Sequence, residues 1–173
     1  MDNKDKIIIL LRHGEKISDD YPDLSQKGMA RAECLPLLFE ALQYIPDKIY
    51  ANKRGRYRGG NYSTRAYDTM IPLAKKLGLE IEEFERETKK NIEDFVNQKL
   101  FKSEFNIILI SSSHKTIPVI SSFLGHKVDV GGKEGYDKLF IWKNGEFYKE
   151  INQSEFIGND IKERLKKYEK ENI

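Results

Sequence analysis

Two short apolar runs are the strongest feature of the hydrophobic pattern. Residues 6–11 read KIIILL and residues 106–111 read NIILIS, and both are rich in β-branched side chains without polar alternation. Such runs are typical of strands in the middle of a parallel sheet, where both faces are buried. Residues 48–51 and 80–84 show weaker strand patterns. The chain is therefore expected to contain a buried parallel sheet.

Helical spacing of apolar residues separates these strand candidates. Four segments predict helices: residues 25–44, 64–77, 88–101 and 116–124. Gly78 and Gly125 follow the second and the fourth segment, and glycine at such a position commonly ends a helix. Strands that alternate with helices indicate a layered α/β fold whose parallel strands end at one edge of the sheet.

The last third of the chain has a different pattern. Residues 138–143 and 146–151 flank Asn144-Gly145, which is a strong hairpin signal. They predict an antiparallel pair at or near a sheet edge, and residues 155–171 predict a charged helix over the surface. We therefore predict a three-layer α/β/α fold with a mostly parallel central sheet and an antiparallel hairpin near one edge.

The composition indicates one domain that spans residues 1–173. A chain of this length with 39% hydrophobic residues suffices for one packed core. Its formal net charge of +2 is too small to indicate bulk binding to nucleic acid or to membranes. The apolar run at residues 7–11 is too short for a signal peptide or a membrane span. The one cysteine, Cys34, can form no disulfide within the chain, so we expect a protein of the reducing cytoplasm.

The residues that follow the two apolar runs carry candidate chemistry, because sites in open parallel sheets form outside the carboxyl ends of the strands. The first run leads to Arg12, His13 and Gly14, and the second leads to Ser113 and His114. A neutral imidazole there is a competent nucleophile toward phosphorus, and the glycine leaves room for the substrate to approach. The arginine can bind a phosphoryl group bidentately, and a protonated second histidine adds charge where the transition state needs it.

The sequence around His13, LRHGEK at residues 11–16, resembles the RHG signature of the histidine phosphatase superfamily, the phosphoglycerate mutase-like proteins. Further stretches resemble motifs of that family in the same order: DLSQKGMARA at residues 23–32, STRAYDT at 63–69 with PLA at 72–74, SHKTIP at 113–118 and YDKLF at 136–140. The resemblance covers about residues 7–151. It implies a short, single-domain member of the family.

The resemblance also implies a function for these residues. It implies a phosphatase that hydrolyses a phosphomonoester or another phosphoryl compound through a phosphohistidine intermediate on His13. The catalytic pair would be His13 and His114, and Arg12 and Arg65 would bind the phosphate. The resemblance implies neither a metal ion nor a cofactor.

One departure from the family pattern concerns the proton donor to the leaving group. Many members carry an aspartate directly after the second histidine, where this chain has Lys115. Others place a carboxylate after the second arginine, and candidates there are Glu83, Glu85, Glu87 and Glu93. We name Glu87 as the possible general acid, and the alternative is a solvated charged segment. Without an acid, good leaving groups such as those of phosphohistidine, acyl phosphates and aryl phosphates are favoured over alkyl esters.

A second departure is a basic, glycine-rich loop, NKRGRYRGGNY at residues 52–62. Arg54, Arg56 and Arg58 can form a rim that attracts a polyanionic substrate. The loop can instead be a bland mobile segment, or it can contact nucleic acid through its charges and tyrosines. We do not expect nucleic acid to be the partner.

Other classes of α/β protein find no support in the sequence. Neither a dinucleotide-binding motif nor a P-loop is present, and there is no serine hydrolase elbow. Two alternatives to a phosphatase stay open, a non-catalytic module that binds a phosphate ligand or a partner, and a phosphoglycerate-type mutase. The expected partner is a small phosphorylated substrate or a phosphoprotein, not a membrane. The oligomeric state stays open, because the strand with Trp142 can pair with another chain or lie beneath the last helix.

Overall fold

The computed structural model describes residues 5–171, with side chains as far as Lys166. The strands in this range are β1 (Ile7–Arg12), β2 (Lys48–Asn52), β3 (Gly55–Arg56), β4 (Tyr62–Ser63), β5 (Ile81–Phe84), β6 (Ile107–Ser112), β7 (Lys138–Lys143) and β8 (Glu146–Asn152). The α-helices are α1 (Gln26–Leu42), α2 (Arg65–Leu77), α3 (Lys89–Asp94), α4 (Ile117–Phe123) and α5 (Ser154–Glu171).

Six strands form one mixed sheet in the order β5-β2-β6-β1-β7-β8. The first four are parallel to one another, whereas β7 pairs antiparallel with both β1 and β8. Asn144 and Gly145, between β7 and β8, both have positive φ, as a tight hairpin turn requires. The predicted hairpin at the sheet edge is therefore confirmed.

Helices cover both faces of this sheet. On one face α1, α2 and α5 pack on alternate strand residues, such as Ile9 of β1 and Ile141 of β7. On the other face α3, α4 and the segment between them pack on the intervening residues, such as Ile8 and Phe140. Neighbouring residues of a strand point to opposite faces, so a strand with a core on each side must be apolar throughout. The predicted three-layer α/β/α fold is confirmed.

The third predicted helix differs from its prediction. It is an α-helix only over Lys89–Asp94 and continues as a π-helix over Phe95–Leu100. The ring of Phe95 stacks on Phe84 with their centroids 4.1 Å apart, and it meets Tyr50 edge-on. These aromatic contacts anchor the start of the π-helix to β2 and β5.

The strand β7 lies between β1 and β8 in the sheet, so neither of the alternatives considered for Trp142, another chain or the last helix, accounts for its burial. Trp142 is only 1% exposed and meets the ring of Phe147 of β8 edge-on. The helix α5 lies on the opposite face, where Ile157 and Ile161 join the core beside α1. A second copy of the chain is therefore not needed to bury this tryptophan. Within residues 5–171, no helix has the length and apolar character that crossing a bilayer requires.

The basic loop contains a small antiparallel hairpin. Gly55 of β3 pairs with Ser63 of β4, and Arg56 pairs with Tyr62. The chain turns between them at Arg58, whose φ of 49° lies in the left-handed region. This β3–β4 hairpin stands beside the carboxyl end of β2 and leads directly into α2.

Candidate active site

A cavity of about 410 Å³ opens at the carboxyl ends of the parallel strands. It is lined by Arg12, His13, Lys16, Asp19, Tyr57, Gly60, Asn61, Ser63, Arg65, Arg86, Ser113, His114 and Lys115. These residues follow β1, β5 and β6, or belong to the β3–β4 hairpin and the start of α2. Five of them are arginines or lysines and only one is a carboxylate, so the cavity is suited to an anion.

His13 directly follows β1, and one hydrogen bond fixes its ring. Its Nδ1 lies 2.7 Å from the carbonyl oxygen of Gly14. Because a carbonyl oxygen can only accept, Nδ1 carries the proton and donates it. No described residue forms a hydrogen bond with Nε2, which keeps its lone pair. In this tautomer, Nε2 is the nitrogen that can attack an electrophile in the cavity.

The surroundings of His13 keep its ring neutral. Burial, together with the positive charges of Arg12, Arg65 and His114, lowers the pKa of His13 to about 3, against the opposing hydrogen bond to Gly14. The imidazole therefore stays neutral, with one proton on Nδ1, throughout the physiological pH range.

His114 follows β6, the strand that pairs with β1, and the structure brings it into the same cavity as His13. Partial burial lowers the pKa of His114, and the charges of Arg12, Lys16 and Lys115 lower it further. The sequence analysis expected this ring to be protonated. It is instead biased toward the neutral form, and a bound dianion would raise its pKa because the anion offsets the surrounding cations.

Arg12 is the last residue of β1 and is 5% exposed. Its Nη1 donates to the carbonyl oxygens of Val130 and Gly132 at 3.0 Å each, and its Nη2 donates to the hydroxyl of Tyr136 at 3.1 Å. The guanidinium carbon also lies 3.9 Å from the centroid of the Tyr136 ring. These partners orient the guanidinium but are all neutral, so its charge remains available to an anion.

Arg65 is the first residue of α2, and its Nη2 donates to the carbonyl oxygens of Ser18 and Tyr21. The Nε atoms of Arg65 and of Arg12 are both buried and have no partner in the described part of the chain. Unsatisfied buried donors are rare in folded proteins. Both donors belong to arginines that line the cavity, so these two side chains have hydrogen-bonding capacity that the described residues do not use.

The two glycines of the first motifs, Gly14 and Gly28, pack backbone to backbone. A Cβ atom on Gly14 would lie 2.8 Å from the carbonyl oxygen of Gly28, and one on Gly28 would lie 2.3 Å from the carbonyl oxygen of Glu15. The sequence analysis explained Gly14 by room for the substrate. The structure gives a different reason, because the space of its missing side chain is filled by α1.

Arg86 is the functional residue that the sequence analysis missed. It lies two residues after β5, is 7% exposed and lines the cavity. Its Nη1 donates to the hydroxyls of Ser113, at 2.8 Å, and Thr116, at 3.3 Å. The rule that sites form at the ends of parallel strands would have found it, but that rule was applied only to the two strongest strands.

Glu87, the candidate general acid, does not line the cavity. Its carboxylate accepts from the backbone N–H of Arg58, at 3.1 Å to Oε2. Among the described residues the carboxylate that does line the cavity is Asp19, which forms an ion pair with Lys16. No sequence pattern points to Asp19, because it lies in an irregular segment far along the chain from the second arginine.

The three arginines expected to form a substrate rim also lie outside the cavity lining. Arg54 donates to the carboxylate of Glu83, and Arg56 donates to the carbonyl oxygen of Gly60. Arg58 donates through Nε to the carbonyl oxygen of Glu87. The contribution of the loop to the cavity is instead Tyr57, Gly60 and Asn61.

Three solved structures share this arrangement of strands and helices. A protein assigned as the phosphohistidine phosphatase SixA from Agrobacterium tumefaciens superposes with a TM-score of 0.57 at 13% identity, over 84% of this chain and 97% of that one. A protein assigned as an alpha-ribazole-5'-P phosphatase from Escherichia coli superposes with a TM-score of 0.58 at 12% identity, over 85% of this chain and 96% of that one. A mycobacterial glucosyl-3-phosphoglycerate phosphatase, solved with inorganic phosphate, gives 0.51 at 13%, over 79% and 88%.

The chain has the histidine phosphatase fold. No family model matches the sequence, and no curated protein matches it either. The similarity of this chain to the three solved structures is therefore a similarity of fold at low sequence identity. The function of this chain has to be argued from its own cavity.

Proposed function

We propose that this protein is a phosphatase that transfers a phosphoryl group from its substrate to His13 and then to water. The observation that carries the proposal is the buried imidazole of His13, which is held neutral with Nε2 free in a cavity lined by arginines. All three structural neighbours described above are, or are assigned as, phosphatases.

In the first step, Nε2 of His13 forms a bond to phosphorus while the bond from phosphorus to the leaving-group oxygen breaks. The oxygen departs with the bonding electrons, and the ring, which keeps its proton on Nδ1, acquires a positive charge that the carbonyl oxygen of Gly14 stabilises. In the second step, water attacks the phosphorus, the N–P bond breaks and the lone pair returns to Nε2. The two protons of the water leave with the inorganic phosphate or pass to solvent. Arg12, Arg65 and His114 stabilise the negative charge that the equatorial oxygens carry in both steps.

The leaving group receives little help from a protonated carboxyl group. The hydrogen bond from Lys16 and the charge of the same lysine lower the pKa of Asp19. Asp19 is therefore ionised near neutral pH and has no proton to donate. We infer that the enzyme acts best on compounds whose leaving group needs no proton, such as aryl phosphates, acyl phosphates and phosphohistidine.

We also propose that the reaction uses no metal ion. Five guanidinium and ammonium groups line the cavity beside one carboxylate; they repel a divalent cation and already supply positive charge to the phosphoryl oxygens. The proposal predicts that a chelator leaves the rate of hydrolysis unchanged.

The test measures hydrolysis of p-nitrophenyl phosphate by the wild-type protein, His13→Ala and His126→Ala, each with and without EDTA. His126 is a matched control because its ring is exposed, stacks on Phe147 and lies outside the cavity lining. We expect His13→Ala to lose about 1,000-fold or more in kcat/KM, since the nucleophile itself is removed. His126→Ala should match the wild type.

A second measurement looks for the intermediate. Rapid acid-free quenching and intact-mass analysis of the wild-type protein should show one added phosphoryl group, which His13→Ala lacks. Absence of turnover and of phosphorylation, with phosphate still bound, would instead establish the non-catalytic binding module. Transfer of the phosphoryl group to a second substrate hydroxyl in place of water would establish a mutase.

A further inference from the structure

Buried arginines in this molecule differ in what compensates their charge. Arg31 is 7% exposed and donates to the carboxylates of Glu15 and Asp137. Burial alone would lower the pKa of Arg31, but these two carboxylates outweigh burial and raise it. Arg86 is equally buried, yet its hydrogen bonds to described residues go only to hydroxyl groups, and burial lowers its pKa. Among the described residues no carboxylate forms an ion pair with Arg86, and the charge of the adjacent Glu87 only partly offsets the effect of burial.

The surroundings of Arg86 hold it at the cavity. Nη1 is fixed by the hydroxyls of Ser113 and Thr116, and the guanidinium carbon lies 4.4 Å from the centroid of the Tyr57 ring, which comes from the β3–β4 hairpin. Both Arg86 and Tyr57 line the cavity. Burying a charge without a counter-charge is costly, and a bound anion removes that cost.

The phosphoryl group does not need this third arginine. Two guanidinium groups, those of Arg12 and Arg65, already match the two negative charges of a phosphoryl dianion, and each has an unused Nε donor. Arg86 is tied to Ser113, which directly follows β6, and β6 is the neighbour of the strand that carries His13. Neighbouring strands lie about 4.8 Å apart, so Ser113 lies near the strand end that carries His13. Arg86 follows β5, farther along the same sheet edge, and is not among the charges that lower the pKa of His13, so we place it beyond the phosphoryl group, toward a group a few bonds away.

We propose that Arg86, covered by Tyr57, binds a second anionic group of the substrate, so that the preferred substrates carry a carboxylate or a further phosphate a few bonds from the transferred phosphoryl group. This inference rests on the proposed function. It makes Arg86 a residue that determines specificity, since it binds a part of the substrate that does not react.

Binding is tested with two ligands that the enzyme cannot hydrolyse, methylphosphonate and methylenediphosphonate, by titration calorimetry. The wild type should bind the diphosphonate about 10- to 100-fold more tightly, the range expected for one charge-assisted hydrogen-bonding group. Arg86→Met should lose most of this preference. Arg164→Met, which removes an arginine of α5 paired with Glu33 and outside the cavity lining, should keep it.

Turnover is tested with 2-, 3- and 4-carboxyphenyl phosphate against p-nitrophenyl phosphate. At least one carboxylated isomer should be preferred by the wild type in kcat/KM by about tenfold or more, mainly through KM, and Arg86→Met should abolish the preference. Arg86→Lys, which keeps the charge but not the planar fork, should retain part of it. Absence of all turnover, with the diphosphonate preference intact, would overturn the proposed function but not the second anion site.

Three results would overturn the inference itself. The first would be that the wild type binds both phosphonates equally and prefers no carboxylated isomer. The second would be that Arg56→Met removes the preference as fully as Arg86→Met, which would assign the preference to the charge of the loop. The third would be that Arg86→Met weakens the binding of both phosphonates equally and lowers the melting temperature, which would make Arg86 a structural residue. We expect the melting temperature of Arg86→Met to be unchanged or higher, because the substitution removes a buried charge that has no paired counter-ion.

Discussion

At the residue scale, His13 shows how position sets the chemistry of a side chain. Its Nδ1 donates a hydrogen bond to the carbonyl oxygen of Gly14, and burial and the neighbouring cations keep its ring neutral. His126, by contrast, is exposed and stacks on Phe147, outside the cavity lining. The nucleophile is therefore prepared by the folded structure before any substrate arrives.

This preparation has a measurable cost in stability at acid pH. The unfolded chain protonates His13 near pH 6.5, whereas the folded protein does so only near pH 3, so below pH 6.5 the unfolded state binds more protons and the free energy of unfolding falls. At about pH 5 the loss relative to neutral pH is about 2 kcal/mol for this residue. Urea unfolding at both pH values should show that His13→Gln loses less stability on acidification than the wild type. His126→Gln should behave as the wild type, and an identical acid loss in His13→Gln would contradict the assignment.

Glu87 gives a second prediction at this scale. Since its carboxylate binds the backbone of Arg58 outside the cavity lining, Glu87→Gln should keep p-nitrophenyl phosphate hydrolysis within about threefold of the wild type. Loss of a general acid would instead lower kcat/KM by about 100- to 10,000-fold. A steady-state kcat/KM measurement distinguishes the two outcomes. The larger loss would return the proton-donor role to Glu87.

At the scale of elements, the contact between the loop after β1 and the first turn of α1 holds the site together. Ser25 caps α1 by accepting from the backbone N–H of Gly28 and donates to the carbonyl oxygen of Glu15. The backbone N–H of Gly14 donates to Thr69 of α2. Two helices thereby position the segment that carries His13.

Gly28→Ala tests this contact. Its new methyl group would lie 2.3 Å from the carbonyl oxygen of Glu15, so the segment around His13 must shift. We expect a loss of about 1–3 kcal/mol in the free energy of unfolding and a marked fall in kcat. Gly158→Ala in α5 is the control, because no heavy atom lies within 4 Å of its added Cβ, and the gain in helix propensity should leave stability equal or higher. Equal behaviour of the two variants would refute the close packing.

The β3–β4 hairpin is held by acidic residues of and after β5. Lys53 pairs with Glu85, and Arg54 pairs with Glu83. Exposed pairs of this kind contribute about 0–1 kcal/mol each, which is enough to restrict a loop but not to lock it. These two ion pairs therefore restrict the hairpin that carries Tyr57 only weakly.

Limited proteolysis tests how the acidic residues restrict the hairpin. In the double variant Glu83→Gln/Glu87→Gln, trypsin should cleave after Arg54, Arg56 or Arg58 several-fold faster than in the wild type. Cleavage elsewhere should not change, which serves as the internal control. An unchanged rate at the loop would show that the backbone pairing of the hairpin, and not the charges, restricts it.

At the scale of the whole molecule, the sequence predicted the sheet and the cavity but not the contacts between distant segments. The apolar runs of β1 and β6 predicted central strands, because a strand with a core on each side must be apolar. Since these two strands are neighbours in the sheet, the residues that follow them, His13 and His114, come together. The contact between Glu87 and Arg58 and the packing of Gly14 on Gly28 depend on how segments far apart in the chain meet. No local pattern encodes such meetings, so they could be found only in the folded chain.

The distribution of charge gives a prediction at this scale. The chain as a whole carries a formal charge of only +2, yet its cavity is lined by five arginines and lysines against one aspartate. An anionic substrate is attracted locally, and salt screens this attraction over about 8–10 Å near physiological ionic strength. KM for p-nitrophenyl phosphate should therefore rise several-fold between low and high sodium chloride while kcat changes little. A KM that does not depend on salt would show that the cavity charges are compensated in the free enzyme.

The burial of Cys34 has a practical consequence for labelling the protein. The single thiol of the chain belongs to α1 and is fully buried, and burial raises its pKa, so reagents in solution meet little reactive thiolate in the native protein. A cysteine introduced on the exposed tip of the β3–β4 hairpin would be the one site that a maleimide dye can reach. Fluorescence from such a probe would report whether the surroundings of the hairpin change when a ligand binds, without first deleting the native cysteine.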